Sequence, residues 1–195
     1  MSSNWSQEKY IKTFRFAAEL HNDQRFPGTD WPYIVHLSMV CMEIMAALAV
    51  ESNVDGDLAI QCALLHDSIE DAKPCRGLST DEIKAALKHK ISRDFGKNVI
   101  DGVLALTKDD EIPDKHERML DSLRRIKQQP KEVWMVKMAD RVANLQPPPE
   151  YWSSEKCKKY LKEAGEIHDT LKGAGPFLSE RLSEKMKAYR KYCSE

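Results

Sequence analysis

Apolar residues recur at helical spacing along nearly the whole chain. After Ser6, a residue suited to cap a helix, apolar side chains follow every three or four positions as far as His21. A second run begins at Pro32 and has almost no polar position between Met39 and Val50. The first pattern predicts an amphipathic helix, and the second predicts a deeply buried one.

The segments that follow also predict helices, separated by turn residues. Asp55 and its neighbours form a turn and cap before a helix over residues 58–72, and Ser79 with Glu82 has the pattern of a capping box. Glycines at 96 and 102 are expected to break up the next helical stretch. Further helices are predicted at about 114–128, 131–146, 154–172 and 177–192. Because alternating apolar and polar runs are almost absent, the predicted fold class is all-α.

Length and composition indicate one domain. The 195 residues, 42% of them hydrophobic, are enough for a sizeable core without disulfides. The triple proline at 147–149 could mark a linker, but the roughly 45 residues beyond it are too few for a core of their own. We therefore expect a single helical bundle over residues 1–195, with a core at about 8–146 and C-terminal helices at 151–193 packed on it.

The net charge and the cysteine content limit which binding partners and which cellular location are expected. A formal net charge of −1 argues against binding to nucleic acid by charge alone. The five cysteines are odd in number and contain no C-x-x-C pair, so we expect reduced thiols. No leader pattern and no apolar run of about 18 residues occurs. The expectation is a cytoplasmic protein without a membrane partner, either a monomer or a homodimer.

The predicted third helix changes abruptly from apolar to polar at His66. Helical spacing places Asp67, Glu70 and Asp71 on the same face as His66, where three carboxylates repel one another unless a cation or protons neutralise them. An imidazole beside carboxylates suits Mn²⁺, Fe²⁺ or Zn²⁺, and the lack of thiolates argues against a structural zinc. The alternative is a solvated acidic helix end, which is also common.

A second polar group lies on the helix predicted at 131–146. Lys137, Asp140, Arg141 and Asn144 are spaced as one stripe on an otherwise apolar helix. The stripe either forms an exposed local ion pair or brings Asp140 as a distant metal ligand, with its neighbours organising the metal shell and substrate. His36, at the start of the buried second helix, is a third candidate, although a lone histidine there is more often a hydrogen-bonded core residue.

Four motifs in order carry a resemblance to a known family. H-x-x-Q with PYIVH, then ALLHDSIED, a T-K pair and KMADRVANL resemble the HD-domain metal-dependent phosphohydrolases. More narrowly, the chain resembles the hydrolase half of RelA/SpoT-type alarmone enzymes and the stand-alone small alarmone hydrolases, including metazoan SpoT homologues, over residues 14–192. The resemblance implies one divalent ion, typically Mn²⁺, held by His36, His66, Asp67 and Asp140.

The same resemblance implies a reaction and a substrate. Glu70 and Asp71 match the pair that positions and deprotonates the attacking water, which removes pyrophosphate from the 3′ position of guanosine tetra- or pentaphosphate and leaves GDP or GTP. Asn144 would contact the ribose, and Tyr160 would lie near the nucleotide. Cations should face the acidic residues, and the candidates are Arg25, Lys108, Lys115, Arg118, Lys137 and Arg141.

One departure from the family pattern leaves other substrates open. Many alarmone hydrolases have an Arg-Lys pair where this chain has Arg25-Phe26-Pro27. The same chemistry on adenosine alarmones, or removal of the 2′-phosphate of NADPH, is therefore an alternative. A non-catalytic nucleotide-binding regulatory domain is a second one, although the intact acidic positions favour an enzyme. Nucleic-acid binding has little support, because Lys and Glu alternate in the C-terminal helices without a basic stripe.

Overall fold

The computed structural model describes residues 4–75 and 77–194. In these residues the regular structure is helical, with two isolated antiparallel bridges and no strand. The all-α prediction is confirmed. The α-helices of this part are α1 (Gln7–Leu20), α2 (Ile34–Leu48), α3 (Gly56–Leu65), α4 (Thr80–Phe95), α5 (Lys97–Leu106), α6 (Lys115–Ile126), α7 (Lys131–Asn144), α8 (Ser154–Leu171) and α9 (Pro176–Tyr189).

The helix starts predicted from capping residues are confirmed. The side chains of Ser6 and Asp55 each accept a backbone N–H bond from the first turn of the helix that follows. Ser79 and Glu82 form a complete capping box, in which each side chain bonds the backbone of the other residue. These bonds satisfy N–H groups that would otherwise lack partners at the helix starts.

Three helices, α2, α3 and α7, form the centre of the molecule. Almost every residue of α3 and α7 is buried, and both helices pack against α2. Helix α1 covers α3 on one side, while α8 and α9 pack against α7 on the other. The core is therefore built around α7, which carries one of the two polar groups singled out in the sequence, and α3, which ends just before the other.

Two packing expectations were wrong. Helix α2 is buried only on the face that packs on α3 and α7, so Met42 on its outer face is 48% exposed, and Val50, beyond its end, is 68% exposed. Gly96, with φ +97°, does separate α4 from α5, but Gly102 lies inside α5. A Cβ on Gly102 would lie 2.8 Å from Sγ of Cys62, so this glycine permits close helix packing rather than a break.

None of the helices in the described part of the chain is long and apolar enough to cross a membrane.

Candidate active site

The acidic residues after α3 lie in a turn and not on the predicted helix. Helix α3 ends at Leu65, and His66 to Asp71 continue as successive turns. The prediction of a helix to residue 72 was wrong, because carboxylates at a helix C-terminus oppose the helix dipole. The N–H of Asp71 still bonds the carbonyl of Asp67 at 2.9 Å, so the i to i+4 proximity expected from a helix is retained.

Four side chains from three parts of the chain converge at one point. Nε2 of His36, on α2, lies 3.4 Å from Nε2 of His66 and 3.5 Å from Oδ1 of Asp140, on α7. Oδ2 of Asp67 lies 2.8 Å from Nε2 of His66 and 3.6 Å from Nε2 of His36. Ligand atoms of His36, His66 and Asp67 all lie within 4.8 Å of one another, as a shared metal ion requires.

The protonation pattern of the histidines fits a cation. Nδ1 of His66 lies 2.8 Å from the carbonyl oxygen of Ala63, so this nitrogen carries the hydrogen and donates. In the neutral ring, Nε2 then presents a lone pair to the Asp67 carboxylate, whose Oδ2 lies 2.8 Å away. Such facing lone pairs repel unless a proton or a metal ion lies between them. The ring of His36 is held by the nearly parallel ring of Phe26, with centroids 5.6 Å apart.

The cluster is strongly coupled in its charges. Burial disfavours the imidazolium form of His66, but the carboxylates of Asp67 and Asp140 outweigh this effect and raise its pKa to about 9. Burial also disfavours ionised Asp140, but Lys137 and the two histidines hold the pKa of that carboxyl well below its usual range. In the absence of metal, His66 is therefore protonated at neutral pH, and its positive charge partly offsets the charge of the two carboxylates.

Each carboxylate beside this cluster is held by a different partner. Lys108 donates two hydrogen bonds to Glu70. Its ammonium lies 2.7 Å from Oε1, and its backbone N–H bonds Oε2 at 3.1 Å. Asp71 accepts a 2.7 Å bond from the side-chain amide of Gln24. Burial, and then repulsion from Asp67, raises the pKa of Asp71. The surroundings of Asp71 thus favour its protonated form, as suits a group that accepts a proton.

The stripe on α7 faces this cluster. Nζ of Lys137 lies 3.0 Å from Oδ2 of Asp140, and the amide of Asn144 donates to Oδ1 of the same carboxylate at 2.5 Å. The stripe and the cluster line one cavity of about 160 Å³, called the metal cavity below. Its lining residues are Tyr33, His36, His66, Asp67, Glu70, Asp71, Leu106, Lys108, Lys137, Asp140 and Asn144. A solvated helix end and an exposed ion pair fit this arrangement poorly, because Lys137 and Asp140 are buried and the three carboxylates of the turn are half-buried.

A larger cleft of about 850 Å³ adjoins the metal cavity, and Asn144 lines both. Its walls are mainly aromatic rings and the prolines at 147–149, with Phe26 and Trp152 among them. Tyr160 also lines the cleft, and the guanidinium of Arg141 lies 4.1 Å from the centre of its ring. Flat apolar walls beside a charged cavity are typical of sites for nucleotides, whose bases stack and whose phosphates are charged.

The structure does not bring every predicted cation to the metal cavity. Lys108 and Lys137 line it, and Arg141 reaches only the aromatic cleft through Tyr160. Arg25 is exposed and donates to the carbonyl of Asp30. Two others lie elsewhere: Lys115 is exposed at the start of α6, and Arg118 bonds Asp110 and the Ile112 carbonyl.

Two residues of the site were missed by the sequence interpretation. The hydroxyl of Tyr33 donates to Oδ2 of Asp67 at 2.6 Å, and Gln24 holds Asp71. Burial, followed by the charge of Asp67, raises the pKa of Tyr33, so this hydroxyl remains a donor. The only available signal was the position of both residues inside the H-x-x-Q and PYIVH motifs, since neither residue type is by itself typical of a metal site.

The fold and the site define the class of this protein. The sequence profile described as "HD domain" matches residues 13–174, and the chain belongs to this family. The resemblance predicted from the ordered motifs is therefore confirmed. Membership implies a divalent metal, and the donor set described above fits such an ion.

Individual relatives narrow the comparison. The zebrafish (Danio rerio) protein named guanosine-3′,5′-bis(diphosphate) 3′-pyrophosphohydrolase MESH1 is 28% identical over 179 residues, 89% of this chain and 90% of that protein. The Drosophila melanogaster protein of the same name is 25% identical over 187 residues, 93% of this chain and 95% of its own. The solved structure of a metazoan ortholog of SpoT that hydrolyzes ppGpp matches with a TM-score of 0.75 and 23% identity, covering 94% of this chain and 97% of that one. The last likeness confirms the fold.

Proposed function

We propose that this protein is a metal-dependent hydrolase that removes pyrophosphate from the 3′ position of guanosine tetra- or pentaphosphate (ppGpp or pppGpp), leaving GDP or GTP. The observation that carries the proposal is the cavity in which His36, His66, Asp67 and Asp140 lie together beside Glu70 and Asp71. It is supported by similarity over nearly the whole chain to relatives whose names state this activity.

The proposed metal ligands are His36, His66, Asp67 and Asp140, and the proposed ion is a single Mn²⁺. Two imidazole nitrogens and two carboxylates form a mixed donor set that suits Mn²⁺. Such an ion, when bound, lowers the pKa of water and withdraws charge from a phosphate oxygen. Tyr33 fixes the orientation of Asp67 through its 2.6 Å hydrogen bond, while the Ala63 carbonyl fixes the tautomer of His66.

Asp71 is the proposed acceptor of the proton from the attacking water. Burial and the neighbouring charge of Asp67 raise the pKa of Asp71, which favours acceptance of a proton. Glu70 is held by both donors of Lys108, so its proposed role is to orient the water with a fixed oxygen. General base catalysis of this kind contributes about 10²–10⁴ in rate.

The proposed substrate orientation follows from the two neighbouring spaces. Lys108 and Lys137 lie in the metal cavity and would meet the 3′-pyrophosphate, which the narrow charged space suits. The purine would enter the cleft lined by Phe26 and Tyr160, where aromatic rings can stack on it. Asn144, which lines both spaces, would contact the ribose between them. The five cysteines are free thiols, in keeping with the cytoplasm as the proposed location.

The test is hydrolysis of three nucleotides by the purified protein after metal removal. We expect Mn²⁺, and not Ca²⁺, to restore the release of pyrophosphate from ppGpp, with ppApp and NADPH as the competing substrates. Glu70→Gln should abolish most of the turnover, whereas Glu155→Gln, which changes an exposed carboxylate on α8, should retain it.

Two results would overturn parts of the proposal. If the Mn²⁺-loaded protein leaves all three nucleotides intact, it is not an enzyme of this class. If ppApp or NADPH is turned over faster than ppGpp, the chemistry stands and the guanosine substrate is wrong.

A further inference from the structure

The H-x-x-Q motif, His21 and Gln24, forms a chain of hydrogen bonds that ends on Asp71. Nε2 of Gln24 donates to Oδ2 of Asp71 at 2.7 Å. Oε1 of the same amide lies 2.6 Å from Nδ1 of His21. Neither His21 nor Gln24 lines the metal cavity. The motif reaches the site through the bond from Gln24 to Asp71 and through Tyr33, on whose ring His21 stacks.

The direction of these bonds is fixed by chemistry. An ionised carboxylate only accepts hydrogen bonds, so Gln24 must turn its NH₂ group towards Asp71. Its carbonyl oxygen then faces His21, whose Nδ1 must carry a hydrogen in order to donate. A reversed amide would oppose its oxygen to the carboxylate of Asp71. Asp71 therefore sets the orientation of Gln24, and a hydrogen on Nδ1 of His21 supports the same orientation.

The motif is itself anchored by Tyr33 and by backbone bonds. His21 is only 4% exposed, and its ring stacks on Tyr33 with centroids 5.1 Å apart. The carbonyl of Gln24 accepts the backbone N–H of Tyr33 at 2.9 Å, and the backbone N–H of Gln24 donates to the carbonyl of His21 at 3.0 Å. Because the backbone is bonded on both sides, the Gln24 side chain has a fixed origin from which to reach Asp71.

We propose that His21 and Gln24 are positioning residues that hold the Asp71 carboxylate in place for proton transfer. The inference rests on the proposed function, in which Asp71 accepts the proton from the attacking water. Asp71 lies beside Asp67 and Glu70 on one turn, and like charges push these side chains apart. The bond from Gln24 opposes that displacement and binds Oδ2, so that Oδ1 is left to receive the proton.

The first test replaces Gln24 by an apolar side chain of similar length. In Gln24→Met, both hydrogen bonds are lost while the volume is nearly kept. We expect kcat for ppGpp to fall about 10- to 100-fold, because a displacement of about 1 Å can reduce a rate 10²-fold. The KM for ppGpp and the bound Mn²⁺ per chain should change by less than about twofold, since the substrate and metal contacts are untouched.

The second test separates the donor of His21 from its ring. His21→Asn keeps an N–H donor near the position of Nδ1, and we expect its kcat to stay within about threefold of the wild type. His21→Phe keeps the stacking on Tyr33 but removes the donor, and its kcat should fall about tenfold. His168→Phe is the matched control, because His168 bonds Ser179 between α8 and α9, away from the cavity.

A double variant shows whether Gln24 acts through Asp71. If it does, Gln24→Met combined with Asp71→Asn will be no slower than Asp71→Asn alone. Additive losses, a loss of Mn²⁺ from Gln24→Met, or equal kcat for His21→Asn and His21→Phe would each overturn the inference. A wild-type protein that leaves ppGpp intact would instead refute the proposed function, and the two failures are thereby distinct. Thermal unfolding of each variant identifies any that fails to fold, and the remaining variants still decide the question.

Discussion

Removal of the metal ion is expected to place a proton on His66. With a pKa of about 9, this imidazole is charged at pH 7 in about 99 of 100 metal-free molecules. A metal ion needs the neutral ring, so binding must expel that proton. The two-unit gap between pH 7 and the pKa lowers the apparent affinity for Mn²⁺ at pH 7 about 100-fold relative to its limit above pH 9.

The assay is a calorimetric titration of the metal-free protein with Mn²⁺ in two buffers that differ in ionisation enthalpy. At pH 7.5 we expect release of about one proton per ion, and the affinity should rise about tenfold per pH unit until about pH 9. At pH 10 the release of protons should nearly disappear, which serves as the internal control. Affinity that is constant from pH 7 to pH 9, without proton release, would refute the argument from His66.

The same pKa makes a prediction about the stability of the metal-free protein. Because the folded-state pKa of His66 is raised above the ordinary value of 6.5, its contribution to the free energy of unfolding is fully present below pH 6.5. That contribution, about 3 kcal/mol for a shift of this size, is lost as the pH rises through about 9. Thermal unfolding in a chelator should therefore show a falling Tm over this range, and a Tm that rises there would contradict the assignment.

Three further predictions concern catalysis, packing and substrate binding. Glu70→Gln should lower kcat for ppGpp about 100-fold with unchanged Mn²⁺ content, because the amide loses the ion pair with Lys108 that fixes the water-orienting oxygen. Full turnover would refute the role of Glu70. Gly102→Ala should lower the Tm by about 2–10 °C, because overpacking against Cys62 costs about 1–3 kcal/mol. In the control Gly165→Ala, the added methyl group meets no atom within 4 Å and should raise the Tm. Equal shifts in the two variants would contradict this reasoning. Glu70→Gln freed of metal should bind ppGpp at least about tenfold more weakly in calorimetry than the same variant with Mn²⁺, and equal affinities would contradict the charge argument.

Most of the helices could be predicted because each one buries a face of regular spacing. The caps at Ser6, Asp55 and Ser79 were also legible, since a side-chain oxygen before an apolar-periodic run satisfies N–H groups that have no other partner. The end of α3 could not be predicted, because the turns after Leu65 keep the acidic residues at helical spacing although the regular helix ends there. Periodicity alone does not distinguish these two arrangements.

The proposed metal ligands could be found in the sequence, and the proposed substrate contacts were harder to find. Histidine and aspartate in ordered motifs are rare combinations, and the fold brings His36, His66 and Asp140 together from separate helices and turns. Lysine and arginine are common at surfaces, and their partners depend on the tertiary structure. Thus Arg118 is engaged by residues six to eight positions earlier in the chain, while Lys108 reaches Glu70 across 38 positions.

The charges of the metal cavity explain why a nearly neutral chain suits a polyphosphate. Four carboxylates and two lysines line the cavity, so it carries a net charge of −2 when the histidines are neutral. Both lysines are ion-paired, Lys108 with Glu70 and Lys137 with Asp140. An anionic substrate is therefore repelled by the cavity alone, and a divalent ion cancels that charge. In the described part of the chain, the adjoining cleft has Glu150 as its single charged lining residue. Under the proposed function, the phosphate end of the nucleotide would therefore lie at the metal, and the base would lie in the nearly uncharged cleft, where aromatic rings can stack on it.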